Sequence, residues 1–423
     1  MNGGGALPES TRPPDLEPAI NPYAVLKNRD FLLYLSGRFI ASFGQQMLAV
    51  TVGWEIYERT HSKLALGIVG LVQMVPMFLF IFPAGHVADN YNRKKVIVWM
   101  QLLFGSACAG LTLVSALKAD VFWIYCCLFV MGAARTYIWP ASSSFLPQLV
   151  PRREFAKAVT WTSGSFQLPA VAGPVAGGML VWLAHDRAVL VYAFNAIGSV
   201  LCAVLIGLVR AHHKVVAKEK MSLESVVAGL KFVYRTKVVL GSITLDLFAV
   251  LLGGATAMLP VYAKDILHVG AEGLGWLQAA LPLGSLLMTA ILVHRPPLQK
   301  AGRTLLWAVV GFGLATIGFG FSTTFWLSFV MLFLCGMTDY ISVVVRHTLV
   351  QLLTPDEMRG RVSAVNSLFI GTSNQMGEFE SGLVANYTNS VFAVVSGGVG
   401  TILVVIAVAI LWPEIRRYKR LDG

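Results

Sequence analysis

Charge is what this sequence has least of. Only 13% of its 423 residues are charged against 56% hydrophobic, and its 22 acids are outnumbered by 33 lysines and arginines. A chain so poor in charge cannot cover a water-facing surface, which excludes an ordinary soluble globular protein. Cysteine is scarce too. Cys108, Cys126, Cys127, Cys202 and Cys335 all fall inside apolar runs, where they pack as small hydrophobes, so neither a disulfide framework nor a metal site is expected. No Gly-x-x-x-x-Gly-Lys-Ser/Thr phosphate loop occurs, which disfavours ATP as an energy source. The polar segments hold no nucleophile, base and oxyanion constellation, so no enzymatic activity and no cofactor are expected. Residues 1–22 lack the basic and apolar regions of a signal peptide and read as a disordered tail.

Long apolar runs are what the sequence does have. Those near the 20 residues needed to cross a bilayer cover 31–57, 64–85, 96–117, 121–145, 158–183 and 188–209, then 238–262, 274–293, 304–321, 325–349, 362–385 and 391–411. The expected fold is therefore an all-α polytopic membrane protein of twelve spans, six in 23–209 and six in 238–412. They are joined by a polar linker, 210–237, and followed by a basic tail, 413–423. Within the linker, Ser222 can cap an amphipathic helix lying at the membrane interface. The compact polar turn Gly85 to Lys95 sets the orientation. Of the 33 cations, 25 fall on its side of the membrane and five on the other. The positive-inside rule then places that side and both termini in the cytoplasm. The net charge of +11 is thus mainly a topology signal, and no nucleic-acid partner is expected.

Sliding the chain by 204 positions lays Leu128, Phe129, Gly132, Leu149 and Pro151 onto Leu332, Phe333, Gly336, Leu353 and Pro355. With equal helix counts on either side, this reads as a duplicated six-helix unit whose halves enclose a cavity. Ionisable residues inside the spans are functional candidates because a bare charge in hydrocarbon is costly. They are Arg38, Arg135, Asp246, Asp339, Arg346, Glu378 and Glu380. The 204 slide sets Arg135 opposite Asp339, and a 208 slide sets Arg38 opposite Asp246, cations of the first half against acids of the second. Arg346, nearer a membrane surface, is expected to snorkel. Glu378 and Asp339 are the leading proton-coupling candidates, with Glu380 and Asp246 behind them. Glu378 and Glu380, two apart on a helix, cannot face the same way without distortion. Gln45, Gln46, Tyr137, Trp139 and Tyr340 are candidate substrate contacts.

Gly85-x-x-x-Asp89-x-x-x-Arg93-Lys94-Lys95 resembles the signature of the major facilitator superfamily, with Asn90 and Asn92 where the family carries Arg and Gly. Gly164, Gly173, Pro174, Gly177 and Gly178 resemble its antiporter motif. The segments 354–362 and 374–382 are similar to those of a bacterial exporter subgroup that includes the enterobactin exporter. The resemblance implies alternating access between two six-helix bundles in the bacterial inner membrane. It puts the helices of Arg38, Arg135, Asp246 and Asp339 around the cavity and implies that the Arg135–Asp339 and Arg38–Asp246 pairs face each other across it. It also implies a cytoplasmic gate at Gly85, Asp89, Arg93, Lys94, Arg359 and Arg361, with Asp89 latching onto the start of the eleventh span. The expected function is proton-coupled export of a small amphipathic molecule, siderophore or drug-like, by a monomer embedded in lipid. A lipid or lysophospholipid flippase of the same fold, or a non-transporting membrane sensor or scaffold, is the alternative.

Overall fold

The structure is a computed structural model that describes residues 23–185, 187–210, 223–295 and 300–417; the 1–22 tail, Ser222 and most of the linker lie outside these. The described residues form helices and turns and no strand. Six long helices come first: α1 (Arg29–Thr60), α2 (Lys63–Asn90), α3 (Arg93–Ala116), α4 (Val121–Leu149), α5 (Phe155–Leu183) and α6 (Val189–Gly207). The linker helix α7 (Leu223–Arg235) leads to α8 (Lys237–Leu252) and the short α9 (Leu259–Val261). There follow α10 (Gly270–Val293), α11 (Ala301–Gly320), α12 (Phe325–Leu353), α13 (Asp356–Tyr387), α14 (Ser390–Leu411) and the short α15 (Pro413–Arg417).

Short polar residues start the helices by accepting bonds from otherwise unpaired amides. Asn28 accepts from Asp30 and Phe31, Ser62 from Ala65, Asp120 from Phe122 and Asn389 from Phe392. Among the described residues ten helical segments are long and apolar enough to cross a membrane. The two remaining spans, α1 and α13, are 32 residues each and pack among the ten, but are too polar to be counted by composition. They carry most of the side chains discussed below.

Within the first six helices, α1 packs on α5 and α6, α3 on α4 and α6, and α2 on α4; within the second group, α10 packs on α12, α11 on α12 and α14, and α8 on α13 and α14. The groups meet along two seams, α2 against α13 and α5 against α10. The Arg93 turn, the start of α1 and the end of α6 lie at one end, tied by Lys94 Nζ to the Val209 carbonyl at 2.7 Å and by the Arg210 amide to Asp30. The opposite end carries Tyr57. One continuous apolar core spans both groups there, running from Met47 and Tyr57 to Tyr262 and Leu274. At the Arg93 end the cores are separate, one around Phe31 and Phe145, the others around Leu305 and Leu349 and around Val239 and Val365. The halves are thus joined at one end and parted at the other.

One expectation needs correction. The seventh span, read as one helix over 238–262, is broken: α8 stops at Gly253-Gly254, and a 3-10 turn (Ala255–Met258), α9 and a π turn (Tyr262–Ile266) complete the crossing. Adjacent glycines cost the helix backbone entropy, and neighbouring helices occupy the space their side chains would need, a Cβ on Gly253 meeting Phe312 of α11 and one on Gly254 the Gly377 carbonyl of α13. The segment after 412 begins with a docked helix. α15 docks through buried Ile415, and Glu414 pairs with Lys237 at 3.1 Å. Gly254→Val should drive α13 off the break and cost about 1–3 kcal/mol, measurable as a lowered melting temperature in detergent.

Candidate functional site: a cavity between the helix groups

A cavity of about 430 Å³ lies where the two groups meet. Its walls are mostly apolar, and its polar groups are Gln45, Gln46, Gln73 and Arg135 from the first group and Gln278 and Glu378 from the second. The broken segment contributes Thr256 and Pro260, which an unbroken helix would place differently. Arg135 is solvent-accessible through this cavity, and its Nη1 donates to Gln73 Oε1 at 3.2 Å. Glu378 acts on it electrostatically from the other group. The two are not within ion-pair distance, and among the described residues Glu378 accepts no hydrogen bond, so its carboxylate is left available to the cavity. Gly70 makes room for it: a Cβ there would stand 2.8 Å from Glu378 Oε2. Glu380, which turns away from this lining, has Ser381 Oγ 3.5 Å from its carboxylate.

The other intramembrane charges behave differently from the expectation. Asp246 forms a buried ion pair with Arg346 inside the second group, so Arg346 does not snorkel and Asp246 does not meet Arg38. Arg38 stays within the first group, its guanidinium 4.7 Å from the Phe166 ring centroid and Nη1 3.5 Å from Ser142 Oγ. At that level the two cores are separate, and nothing brings α1 and α8 together. Asp339 is half-buried near Cys335, and neither it nor Tyr340 lines the cavity; the acid that acts on Arg135 across it is Glu378. Tyr137 packs on Phe80, ring centroids 6.0 Å apart. Trp139 is exposed and lines a side pocket of about 90 Å³ with Arg38, Arg135 and Gln45.

The five motif residues of α5 divide by depth. Gly173 and Gly177 let α5 lie on α1, a Cβ on Gly177 falling 2.9 Å from Met47 Cα. Gly178 and Pro174 face α10: a Cβ on Gly178 would be 3.0 Å from Gly275 Cα, and one on Gly275 2.6 Å from the Pro174 carbonyl. Gly164, toward the Arg93 end, meets open space, as does Gly360. The α2–α13 seam is equally close at the Tyr57 end, where a Cβ on Gly382 would lie 2.7 Å from Gly67 Cα. Its glycine contacts continue down to Gly371 and Met77.

In the signature turn, Arg93 is buried and donates to the Ala88 and Ser144 carbonyls at 3.3 and 3.1 Å, and Lys94 reaches Val209. Both stitch the first group to itself rather than bridging the groups. Gly85 lies in the last turns of α2. The Asp89 side chain, and with it the expected latch, lies outside the described residues. Arg361 extends along α13 to Met358 Sδ at 3.7 Å, and Arg359 is exposed on the first turns of that helix.

The clasp at the Tyr57 end escaped the sequence reading. Tyr57 donates its hydroxyl to the Asp265 carboxylate, and Lys264 Nζ pairs with Glu58 Oε2 at 2.5 Å while lying 6.0 Å from the Tyr57 ring centroid. Both contacts join the two groups. The available signal was the Lys264-Asp265 pair standing in a connection otherwise poor in charge.

A family model described as Major Facilitator Superfamily matches residues 34–378. The chain belongs to that superfamily. It is a multi-pass membrane transporter. Among curated relatives it is similar to the enterobactin exporter EntS of Citrobacter koseri, 28% identical over 388 residues covering 90% of this chain and 92% of that one. It is also similar to EntS of Escherichia coli O1:K1, 26% identical over 387 residues with the same coverages. The facilitator fold recurs in a bacterial homologue of the lysosomal transporter Spinster, at TM-score 0.71, 14% identity and coverages of 94% and 97%. A peptide transporter of the POT family in complex with sulfate gives TM-score 0.72 at 12% identity, covering 95% of this chain and 100% of that one.

Because backbone lies against backbone at Gly178, a leucine there should prise the α5–α10 seam apart. In a cysteine-free background, a cysteine at cavity-lining Ala49 should be labelled by a bulky water-soluble maleimide from the Tyr57 face about tenfold faster with Gly178→Leu, as a shift of roughly 1.4 kcal/mol toward the open form requires.

Proposed function

We propose that this facilitator exports a small amphipathic molecule, with an apolar or aromatic body and oxygen-rich polar groups, from the bacterial cytoplasm in exchange for protons. The observation that carries the reading is the cavity between the groups, apolar with four amides, one cation and one acid, held between halves that are fused at the Tyr57 end and parted at the Arg93 end. With the cation-rich Arg93 end in the cytoplasm, this is the inward-open state, ready to load from inside. The cavity's size is within the range of pockets for drug-sized ligands, and it is complete within one chain, so a monomer suffices. The resemblance to EntS, whose name states enterobactin export, favours a siderophore-like substrate and the outward direction.

Glu378 is the proton carrier in this reading. Arg135 meets the substrate's acceptor oxygens, while ionised Glu378 accepts from the substrate's hydroxyl or amine donors; protonated, Glu378 no longer offers that charged acceptor. Substrate and proton thereby compete for one carboxylate, which is the requirement for exchange. Closing the Arg93 end and opening the Tyr57 end must break the Tyr57–Asp265 and Lys264–Glu58 contacts and separate the Gly178–Gly275 and Gly67–Gly382 seams, with Asp89 and the start of α13 forming the opposite gate.

In proteoliposomes with an imposed proton gradient, Glu378→Gln should abolish gradient-driven flux while leaving substrate binding within about threefold; wild-type flux in this variant would remove Glu378 from the coupling. Arg135→Ala should weaken binding about 30-fold or more, the scale of losing one partner of a buried charge contact. Running enterobactin-type siderophores, drugs and lysophospholipids in the same assay distinguishes export of soluble amphiphiles from lipid flipping. Tyr57→Phe combined with Lys264→Ala should raise the outward-open population, read by distance measurements between spin labels at the ends of α1 and α10.

A further inference from the structure

Outside the central cavity, a second crevice of about 470 Å³ opens between α7, α8 and α13. Its interior is apolar, built from Val233, Leu240, Ile243, Leu247 and Phe369. From Leu240 to Leu247 it follows α8 for about 10 Å, parallel to the helix axis rather than across it. At its α7 mouth the character changes. Lys231 lines the opening, and Arg235 stands one turn further along α7; both are exposed and neither has an ion pair among the described residues. Val227, Leu230 and Tyr234 on the same helix are exposed apolar side chains, which have no reason to face water and every reason to face acyl chains. The helix is fixed in this position by Gly229, where a Cβ would lie 2.9 Å from the Arg361 carbonyl of α13.

We propose that this crevice is a binding site for an anionic phospholipid, one acyl chain lying along α8 and the phosphate headgroup held by Lys231 and Arg235. The depth and direction of the crevice suit a chain entering from the interface, and the two exposed cations of α7, Lys231 at its mouth and Arg235 one turn along, select a headgroup of net negative charge. A soluble ligand would want polar groups inside the crevice, and the lining offers almost none. The site also touches the transport machinery, since Phe369 lies nine residues before Glu378 on α13. The lipid therefore packs on the helix that carries the cavity acid.

The test is native mass spectrometry of the full-length protein, purified from bilayers holding equal phosphatidylglycerol and phosphatidylethanolamine. The parent should retain one phosphatidylglycerol in preference to phosphatidylethanolamine by about 30-fold, the scale expected of two interfacial cations at about 1 kcal/mol each. Thr244→Trp, which fills the crevice, should abolish that retention. The exposed pair Lys231→Glu and Arg235→Glu should erase the preference, while Leu403→Trp on the exposed face of α14 should change nothing. Equal retention of the two lipids by the parent would overturn the headgroup assignment. Undiminished phosphatidylglycerol in a monodisperse Thr244→Trp protein would overturn the site. The surface charge variants decide the matter if Thr244→Trp does not fold.

Discussion

A charge or amide inside a bilayer must face another polar group or water held by protein, and most of this molecule's architecture answers to that demand. Asp246 and Arg346 answer it by burying each other inside one bundle. Arg38 answers it with an aromatic face and a hydroxyl. Arg135 and Glu378 answer it by fronting a cavity, and only this solution leaves groups free to meet a ligand. The same demand explains why α1 and α13 are the least membrane-like of the long helices. Their polar residues are tolerated because neighbours screen them from lipid, so departure from apolar composition marks the helices with work to do.

Closure at the Tyr57 end is of another kind. Small residues let backbones of opposing bundles come into contact at Gly178 and Gly275 and at Gly67 and Gly382, where van der Waals packing operates without a hydrophobic drive. Such contacts are short-ranged and lost at once when the helices separate. The Tyr57–Asp265 and Lys264–Glu58 contacts sit on top of this seam, at an aqueous boundary where an ion pair contributes little. The seam provides the seal, and the polar clasp sets its alignment. A transporter that must release the same interface every cycle is served by many weak contacts better than by a few strong ones.

Much of this was legible in the sequence. Long apolar runs marked the crossings, ten of which stand out by composition among the described residues, and intramembrane charge picked out Arg135 and Glu378 individually. The pairings were not legible. Sliding the repeat lines up equivalent positions, but equivalent residues touch only when they lie close to the symmetry axis. Arg38 and Asp246 do not touch, and each found a partner within its own half. The acid that shares the cavity with Arg135, Glu378, is on a helix that the slide does not bring opposite it. The break at Gly253-Gly254 was visible as a pair of residues, yet an apolar run reads as one helix whatever its backbone does. Gly70 and Gly67 could not be found at all, because a glycine's value there depends on what stands against it.

That break has a mechanical meaning. Below it, α8 is bound to its own bundle through α13, α14 and the Arg346 pair. Above it, Pro260 packs on Gly53 and Asp265 holds Tyr57, while Tyr262 donates to the Gly320 carbonyl of α11, so the short upper piece is attached to both bundles. Gly253-Gly254 joins a lower piece held by one bundle to an upper piece that touches both. Separating the bundles at the Tyr57 end would pull on that upper piece through Pro260 and Asp265 and reach α8 only across the two glycines.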